Sequence, residues 1–461
     1  MKKLIANASM AILATTMIFA GGVDNKTNLN AGYERNASRN TESKRPEAVF
    51  YNIGGTAFMD DGLYIGGGNQ FVFKNYASEI DLPSSNPVSA VNGKYADEKV
   101  VTLYPDAEVV YKKGNSAIFF GFGVFGGGGS LEYKDGTAPT AALLFGNYAP
   151  AVIANAYSQI LTGMGAAGAD ISNPAVQAQA MTQAQAKGIP LAASMAKNHK
   201  VDIYSVQLGE IIGISTQVTS NFSLAAAVRF MHGSQEVTLT SNEAAFIAAN
   251  GGNKVGYEAD GYSVGGMFGA HYKADKWDAS IQYQSITRIN YEYHDKTGNM
   301  VNTIITNKAD AFHNDLPAVL NVGFGYNVLD NLYVSTSCNY YFNRFSTIDD
   351  PLSGEKKDFM NSWELALGAD YAFNEKLSTS LGLSYGYNGT HKDVNNIFQP
   401  VLNSFVIGGG VEYKPVENLT LTGSAMYCNY FSQDYEMSGN TVELSKRVVM
   451  AALGVTYRLP F

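Results

Sequence analysis

The chain has 461 residues, enough for several soluble domains or for one large barrel. Charged residues make up 16% of it, below the ~25% usual for soluble proteins, and 29 Tyr and 24 Phe against 2 Trp suit strands better than helices. A net charge of −9 without a basic patch argues against a nucleic-acid partner.

In chain order, residues 1–20 read as an export signal. Lys2 and Lys3 supply the positive region, Leu4 to Ala20 the apolar core, and Ala20 a small residue before a cut at Gly21. That core is short for a membrane-spanning helix, which takes ~20 apolar residues, although an N-terminal anchor is the alternative. No Cys follows the cut, so a lipid anchor is not expected. Residues 21–61 begin polar and turn apolar over Ala48 to Phe58. Such a leader is either a disordered tail or a plug inside a barrel formed by the rest of the chain. The apolar half favours a plug, so 21–61 is assigned to a hatch and 62–461 to a barrel.

Past the signal no run of 18 apolar residues occurs, and period-two alternation recurs instead. Between Trp277 and His294, residues Trp277, Ala279, Ile281, Tyr283, Ile289, Tyr291 and Tyr293 share one face, with Gln282, Arg288, Glu292 and His294 on the other. Leu365, Leu367 and Ala369, then Phe405, Ile407 and Val411, alternate in the same way. Tight turns at 112–115, 219–221, 274–276, 329–331, 374–376 and 415–418 alternate with long polar links, the longest at 135–200. About fourteen strands result, an even number, joined as in an up-and-down transmembrane antiparallel β-barrel. A soluble sandwich or propeller is the alternative, but neither needs an apolar outer face on nearly every strand. At the far end Val449, Ala451, Leu453, Val455, Tyr457 and Leu459 alternate up to a terminal Phe461, the pattern of a last outer-membrane strand presented to barrel-assembly machinery.

One stretch breaks the pattern. "VFGGGGSLEY" places Gly126, Gly127, Gly128 and Gly129 inside a strand, where glycine packs nothing and loses the most entropy. Phe120, Phe122 and Val124 set the apolar face on even numbers, and Leu131 and Tyr133 set it on odd ones, so one bulge is expected across the tract. Pro105, in the preceding strand, cannot donate to a ladder. Phe125, the four glycines and Pro105 therefore form an expected kink in the wall. In a bilayer each orphaned backbone group costs several kcal/mol. The kink has two readings: a side exit for an apolar solute, covered from inside by the plug, or a plain bulge that helps curvature.

The 135–200 link is rich in Ala and Gln. Ser172-Asn173-Pro174 offers a helix start and Gly188 a stop, with Ile153, Tyr157, Leu161 and Met164 at helical spacing before them. Two or three short extracellular helices are expected, their stripe either packing on the barrel rim or capturing ligand. Cys338 and Cys428 fall on non-neighbouring strands, so neither a disulfide nor a Cys-based metal site is expected. The six His are scattered, and Gly121-x-Gly123-x-x-Gly126 opens no helix, so no metal, cofactor or catalytic set is assigned. Arg229 and Arg288 fall on the polar, lumenal parity, as contacts for an acidic head group or as partners of Glu236 and Glu292.

Four segments together resemble the FadL-type outer-membrane transporters of long-chain fatty acids and other hydrophobic compounds. "EAVFYNIGGTAFMDDGLYIGGG" is similar to the junction of hatch and first strand, with Asn52 on the family's Asn, Ile53 for its Pro and Gly54 for its Ala. "LYPDAEVVYKKGNSAIFFGFGVFGGGGSLEY" resembles the second and third strands, and "DLPAVLNVGFGYNVLDNLYVSTSCNYYFN" and "NSFVIGGGVEYKPVENLTLTGSAMY" resemble later hairpins. The resemblance implies an outer-membrane barrel of a Gram-negative bacterium, a monomer among outer-membrane lipids. It also implies a hatch gate at Phe50, Asn52, Ile53, Gly54 and Gly55 and a lateral gap at the third strand. Passive uptake of a hydrophobic small molecule is the function implied. The family's carboxylate-binding basic residues do not align, so fatty-acid specificity is not carried over. A lipid-modifying barrel enzyme and an adhesive or structural barrel remain the rival classes.

Overall fold

The computed structural model describes residues 28–97, 99–298, 310–351, 354–389, 400–437 and 440–461, so the expected signal at 1–20 and the first residues of the expected hatch, 21–27, lie outside the described residues. Fourteen antiparallel strands close into a barrel among the described residues. They are β1 (Gly62–Ile80), β2 (Gly93–Ala96 and Pro105–Lys113), β3 (Ser116–Tyr133), β4 (Lys200–Gln217), β5 (Phe222–Thr240), β6 (Lys254–Lys273) and β7 (Trp277–Gln284 and Asn290–Thr297). They continue as β8 (Ala311–His313 and Val319–Leu329), β9 (Leu332–Tyr341), β10 (Ser362–Ala372), β11 (Leu377–Tyr387), β12 (Ser404–Val416), β13 (Leu419–Tyr430 and Gln433–Met437) and β14 (Asn440–Leu459). β1 pairs with β14 from Leu63↔Leu459 to Ile80↔Val442, which joins the last strand to the first and closes the wall.

The wall is inside out relative to a soluble protein. Ile214, Phe268, Leu367, Leu381 and Leu453 are exposed on the outer face, while Gln70, Gln207, Gln282, Asn339 and Glu364 are buried. An apolar band around a polar lumen is the arrangement a bilayer demands of strands. Near the short turns aromatic side chains gather outside, with Tyr272 stacked on Trp277 at 5.1 Å and Tyr111 beside Phe461 at 5.3 Å. No helix among the described residues is long and apolar enough to cross a membrane. Cys338, on β9, and Cys428, on β13, are free thiols.

β7 corrects the reading of 277–294 as one continuous face. It breaks between Gln284 and Asn290, and the register against β6 shifts between Glu258 and Ala259. Trp277, Ile281 and Tyr283 are exposed outside, whereas Ile289 and Tyr291 are fully buried. Arg288 is exposed between the two pieces and not lumenal, because the irregularity reverses which parity faces inward.

The 135–200 link forms two helices, within the two or three expected but long instead of short, α3 (Ala138–Ala166) and α4 (Pro174–Lys197), after the short α1 (Ala31–Arg35) and α2 (Ala48–Tyr51) near the N-terminus. Asn173 caps α4 through Ala175 N–H, with Pro174 in the first turn as expected. Gly188 does not stop α4. It lies inside the helix against Ile153 of α3, where a Cβ would come within 2.9 Å of that side chain. The small buried residues Ala180, Ala184, Gly188 and Ala192 let the two helices approach closely.

Candidate functional site

Residues 28–58 run inside the barrel, held by inward side chains of the strands around them. Asn30 caps α1 by accepting from Tyr33 N–H and donates to Glu108 of β2 at 3.1 Å. Tyr33 donates to the Glu364 carboxylate of β10 at 2.6 Å. Where α1 crosses β12 the backbones nearly touch: a Cβ on Gly408 would sit 2.1 Å from the Glu34 carbonyl oxygen, so only glycine fits.

The five expected gate residues come together, all buried, at α2 and the 3-10 turn Ile53–Phe58. Asn52 accepts from Gly55 N–H at 3.2 Å, and its side-chain nitrogen reaches His271 Nδ1 of β6 at 2.9 Å. Ile53 N–H donates to Gln282 of β7 at 2.9 Å, and Ser223 of β5 donates to the Gly54 carbonyl at 2.7 Å. Phe50 faces another way, edge-on to Phe125 of β3 with ring centroids 6.2 Å apart.

A charge network anchors the segment to the far wall. Arg35 lies 3.1 Å from Asp370 of β10 and 3.4 Å from Glu412 of β12, and Arg45 Nε donates to Glu412 at 2.6 Å. Arg39 joins Glu42 at 3.2 Å, Glu47 at 3.3 Å and Asp370 at 3.6 Å. Burial works against ionising Glu42, but Arg45, Arg39 and the Lys44 N–H outweigh it and hold its carboxyl below the usual range. Burial dominates at Glu47, whose pKa is raised, and pushes Glu34 up to about 8. The sequence reading missed this network, although inward-parity Asp370 and Glu412 were a usable signal: a lumenal carboxylate needs a partner.

At the expected kink β3 shifts register against β4 twice. Val124 pairs with Leu208, Gly126 with Gln207 and Gly129 with Ser205, which makes Phe125 one extra residue and the Gly127–Gly128 step another. Two slips cancel, so the single slip inferred from parity is corrected. Ala117, Phe119, Leu131 and Tyr133 are all buried toward the interior, and the apolar pair after the tract does not face lipid. Gly127 has φ +87° and Gly129 φ +70°, and a Cβ on Gly127 would sit 2.3 Å from the Ser205 carbonyl.

On its other side β3 pairs with β2 only from Lys113↔Ser116 to Ala107↔Phe122 among the described residues. Pro105 opens the second piece of β2 opposite Asn69, at the edge of this interruption. A cavity of about 100 Å³ reaches from Gly126, Gly127 and Tyr104 past Tyr33 to Val406 and Met450 across the lumen. Lys446 enters its lining clasped between Tyr76 and Tyr430, 4.5 Å from each ring, a cation that the sequence reading did not single out. A second, polar basin of about 400 Å³ opens at the short-turn end, between Arg39, Arg45 and Glu412. Arg229 is buried in the lumen over the Phe125 ring at 5.5 Å. It donates to Gln284 at 2.6 Å and Thr287 at 2.8 Å, while Glu236 lies on the opposite face parity of the same strand.

The sequence model for the family described as outer membrane protein transport protein (OMPP1/FadL/TodX) matches residues 175–458. The chain belongs to this family. It is therefore an outer-membrane transport protein that crosses the membrane as a β-barrel. Solved FadL/TodX-type structures share the fold. A Pseudomonas aeruginosa FadL homologue superposes with TM-score 0.61 at 14% identity, over 96% of this chain and 99% of that one. The P. putida toluene transporter TodX gives 0.59 at 13%, over 92% and 97%, and the Ralstonia pickettii toluene transporter TbuX gives 0.54 at 13%, over 92% and 97%. Among curated proteins no sequence matches.

Proposed function

We propose that this chain takes up small hydrophobic molecules by passive diffusion, with residues 28–58 as a plug across the lumen and the β2–β3 interruption as a window for sideways release. The observation that carries the reading is the coincidence of three features: the ladder between β2 and β3 ends at Ala107↔Phe122, β3 bulges twice beside the break, and the cavity reaches that spot. Energetics favour the sideways route. A solute leaving an apolar contact for periplasmic water loses ~0.8 kcal/mol for each methylene it exposes, and release into lipid avoids that loss. Axial passage would also require the buried charges around Arg35 and Arg45 to separate.

The TodX and TbuX relatives are toluene transporters, and a cavity of about 100 Å³ is of the size that takes a single aromatic ring, so monoaromatics are the first substrates to try and long-chain fatty acids the second. Uptake of labelled toluene and oleate by cells expressing the full chain tests the reading. Gly127→Val forces a β-branched side chain onto φ +87° and against the Ser205 carbonyl, which disturbs the window and leaves the charge network intact. Loss of uptake with normal membrane assembly is expected, and unchanged uptake would refute lateral release.

A further inference from the structure

The interruption between β2 and β3 is neither open nor sealed by backbone, and the side chains that span it differ in kind from one end to the other. At the extracellular end Lys74 of β1 and Asp97 pair at 2.9 Å, with both side chains fully buried. Lys74 Nζ also donates to the carbonyls of Lys99, at 3.2 Å, and of Ser130 on β3. Asp97 accepts from Glu132 N–H on β3 at 2.7 Å. One buried ion pair thus takes over the ladder's task of tying β1, β2 and β3 together, with charge-assisted bonds in a low-dielectric wall.

Below that clamp the chain from Val101 to Tyr104 is bonded to β1. Val101 and Val72 exchange both backbone bonds, at 2.8 and 3.0 Å, Gln70 N–H donates to Tyr104 O at 3.1 Å, and Tyr104 N–H donates to Asn69 at 2.9 Å. Toward β3 it presents side chains. Val101 lies over Gly129, and Tyr104 stretches its hydroxyl to the Val124 carbonyl at 3.4 Å, a long bond, while its ring lines the cavity. Leu103 is 73% exposed on the outside.

We propose that Val101–Tyr104 is the movable leaf of the window, that Tyr104 and Val101 set the size of solute that passes, and that the Lys74–Asp97 pair is the fixed frame above it. The proposal rests on the lateral-release reading. It rests too on the contrast in bonding: the frame is strapped by a buried ion pair, whereas the leaf is paired by backbone to β1 and faces β3 with side chains, Val101 over Gly129 and the Tyr104 hydroxyl toward Val124. Withdrawing the Tyr104 ring joins the cavity to the outer face without breaking a strand pair.

The distance from Val101 Cβ to a Cβ on Gly129 is 3.9 Å, within the ~3.5–4.5 Å a disulfide requires. Val101→Cys with Gly129→Cys, in the full chain carrying Cys338→Ala and Cys428→Ala, staples leaf to β3; because Gly129 has φ +70° the reduced double variant, with whatever uptake it keeps, is the reference. With the staple verified by mass, toluene uptake falls several-fold under oxidation and returns on reduction, while each single cysteine variant is insensitive to redox. Equal uptake by the stapled and reduced forms overturns the leaf. Tyr104→Ala and Tyr104→Trp keep the proposal testable if the staple does not form. The first raises and the second lowers uptake of naphthalene relative to toluene, and an unchanged ratio in both overturns the size filter. If Gly127→Val also leaves uptake intact, lateral release itself has failed. If Gly127→Val blocks uptake and the staple does not, only the leaf has.

Discussion

The walls on the two sides of residues 28–58 are built to different rules. From β10 to β12 the ladders run in unbroken register, Trp363↔Tyr387 to Ala372↔Ser378 and then Leu377↔Tyr413 to Gly386↔Ser404. Their inward carboxylates Glu364, Asp370 and Glu412 hold Tyr33, Arg35 and Arg45. From β2 to β4 the ladder breaks and bulges, and the contacts include Phe50 against Phe125, a 2.6 Å hydrogen bond between the Thr56 and Ser215 hydroxyls, and Asn30 to Glu108. Charge fixes position and orientation, since a buried ion left without its partner is costly. Apolar contact holds without fixing a direction. On the proposed reading, a segment anchored by charge on one side and held by apolar area and a few hydrogen bonds on the other yields at the window without leaving the lumen.

The sharpest way to break that comparison is to remove an anchor. Glu412→Leu leaves Arg35 and Arg45 short of a shared carboxylate and is expected to cost about 3–5 kcal/mol. Phe50→Leu, on the other side, is expected to cost about 1–2 kcal/mol. Denaturant midpoints in detergent micelles, with protease cleavage within 28–58 as a second readout, compare the two. Equal losses would mean that the walls do not divide the work. Next in size is Tyr33→Phe, which deletes a 2.6 Å bond to a buried carboxylate and is expected to cost about 2 kcal/mol by the same midpoints.

How far the sequence could be read depends on the same division. The regular wall announced itself, because alternation such as Leu365-x-Leu367 survives wherever one residue pairs with one. Turn chemistry placed the short connections, and Gly126 to Gly129 located the irregular strand. Parity arithmetic failed at the tract because it counts net slips, and two bulges that cancel look like none or one depending on which apolar residues are chosen. It failed again at Arg288, past the break in β7. Gly188 misled because a glycine within a helix marks close packing as readily as an end, and here Ile153 of the partner helix decides. The wall partners of Arg35, Arg39 and Arg45 could not be paired with them from local pattern, since Asp370 and Glu412 lie more than 300 positions away and their inward parity says only that each carboxylate needs a partner.

The smallest expected effect separates the helical arm from both walls. α3 and α4 leave the end of β3 and return to β4, and His199 sits beneath their base with Nε2 at 2.7 Å from Thr140 Oγ1. Burial lowers its pKa from 6.5 to about 4, partly offset by a bond involving the Ala196 backbone. The undocked state therefore takes up a proton first. The contribution of His199 is whole above pH 6.5, declines as the pH falls below that, and is fully lost below about pH 4. About 1 kcal/mol has gone by roughly pH 5.5. Amide exchange over 138–149 is expected to quicken several-fold between pH 7 and that point after correction for intrinsic rates, while amides of β10 to β12 keep their protection. His199→Gln abolishes the pH dependence. If the arm and the ion-paired wall loosened together on acidification, the arm would not be a separately docked unit and the contrast between the two sides would reduce to one cooperative fold.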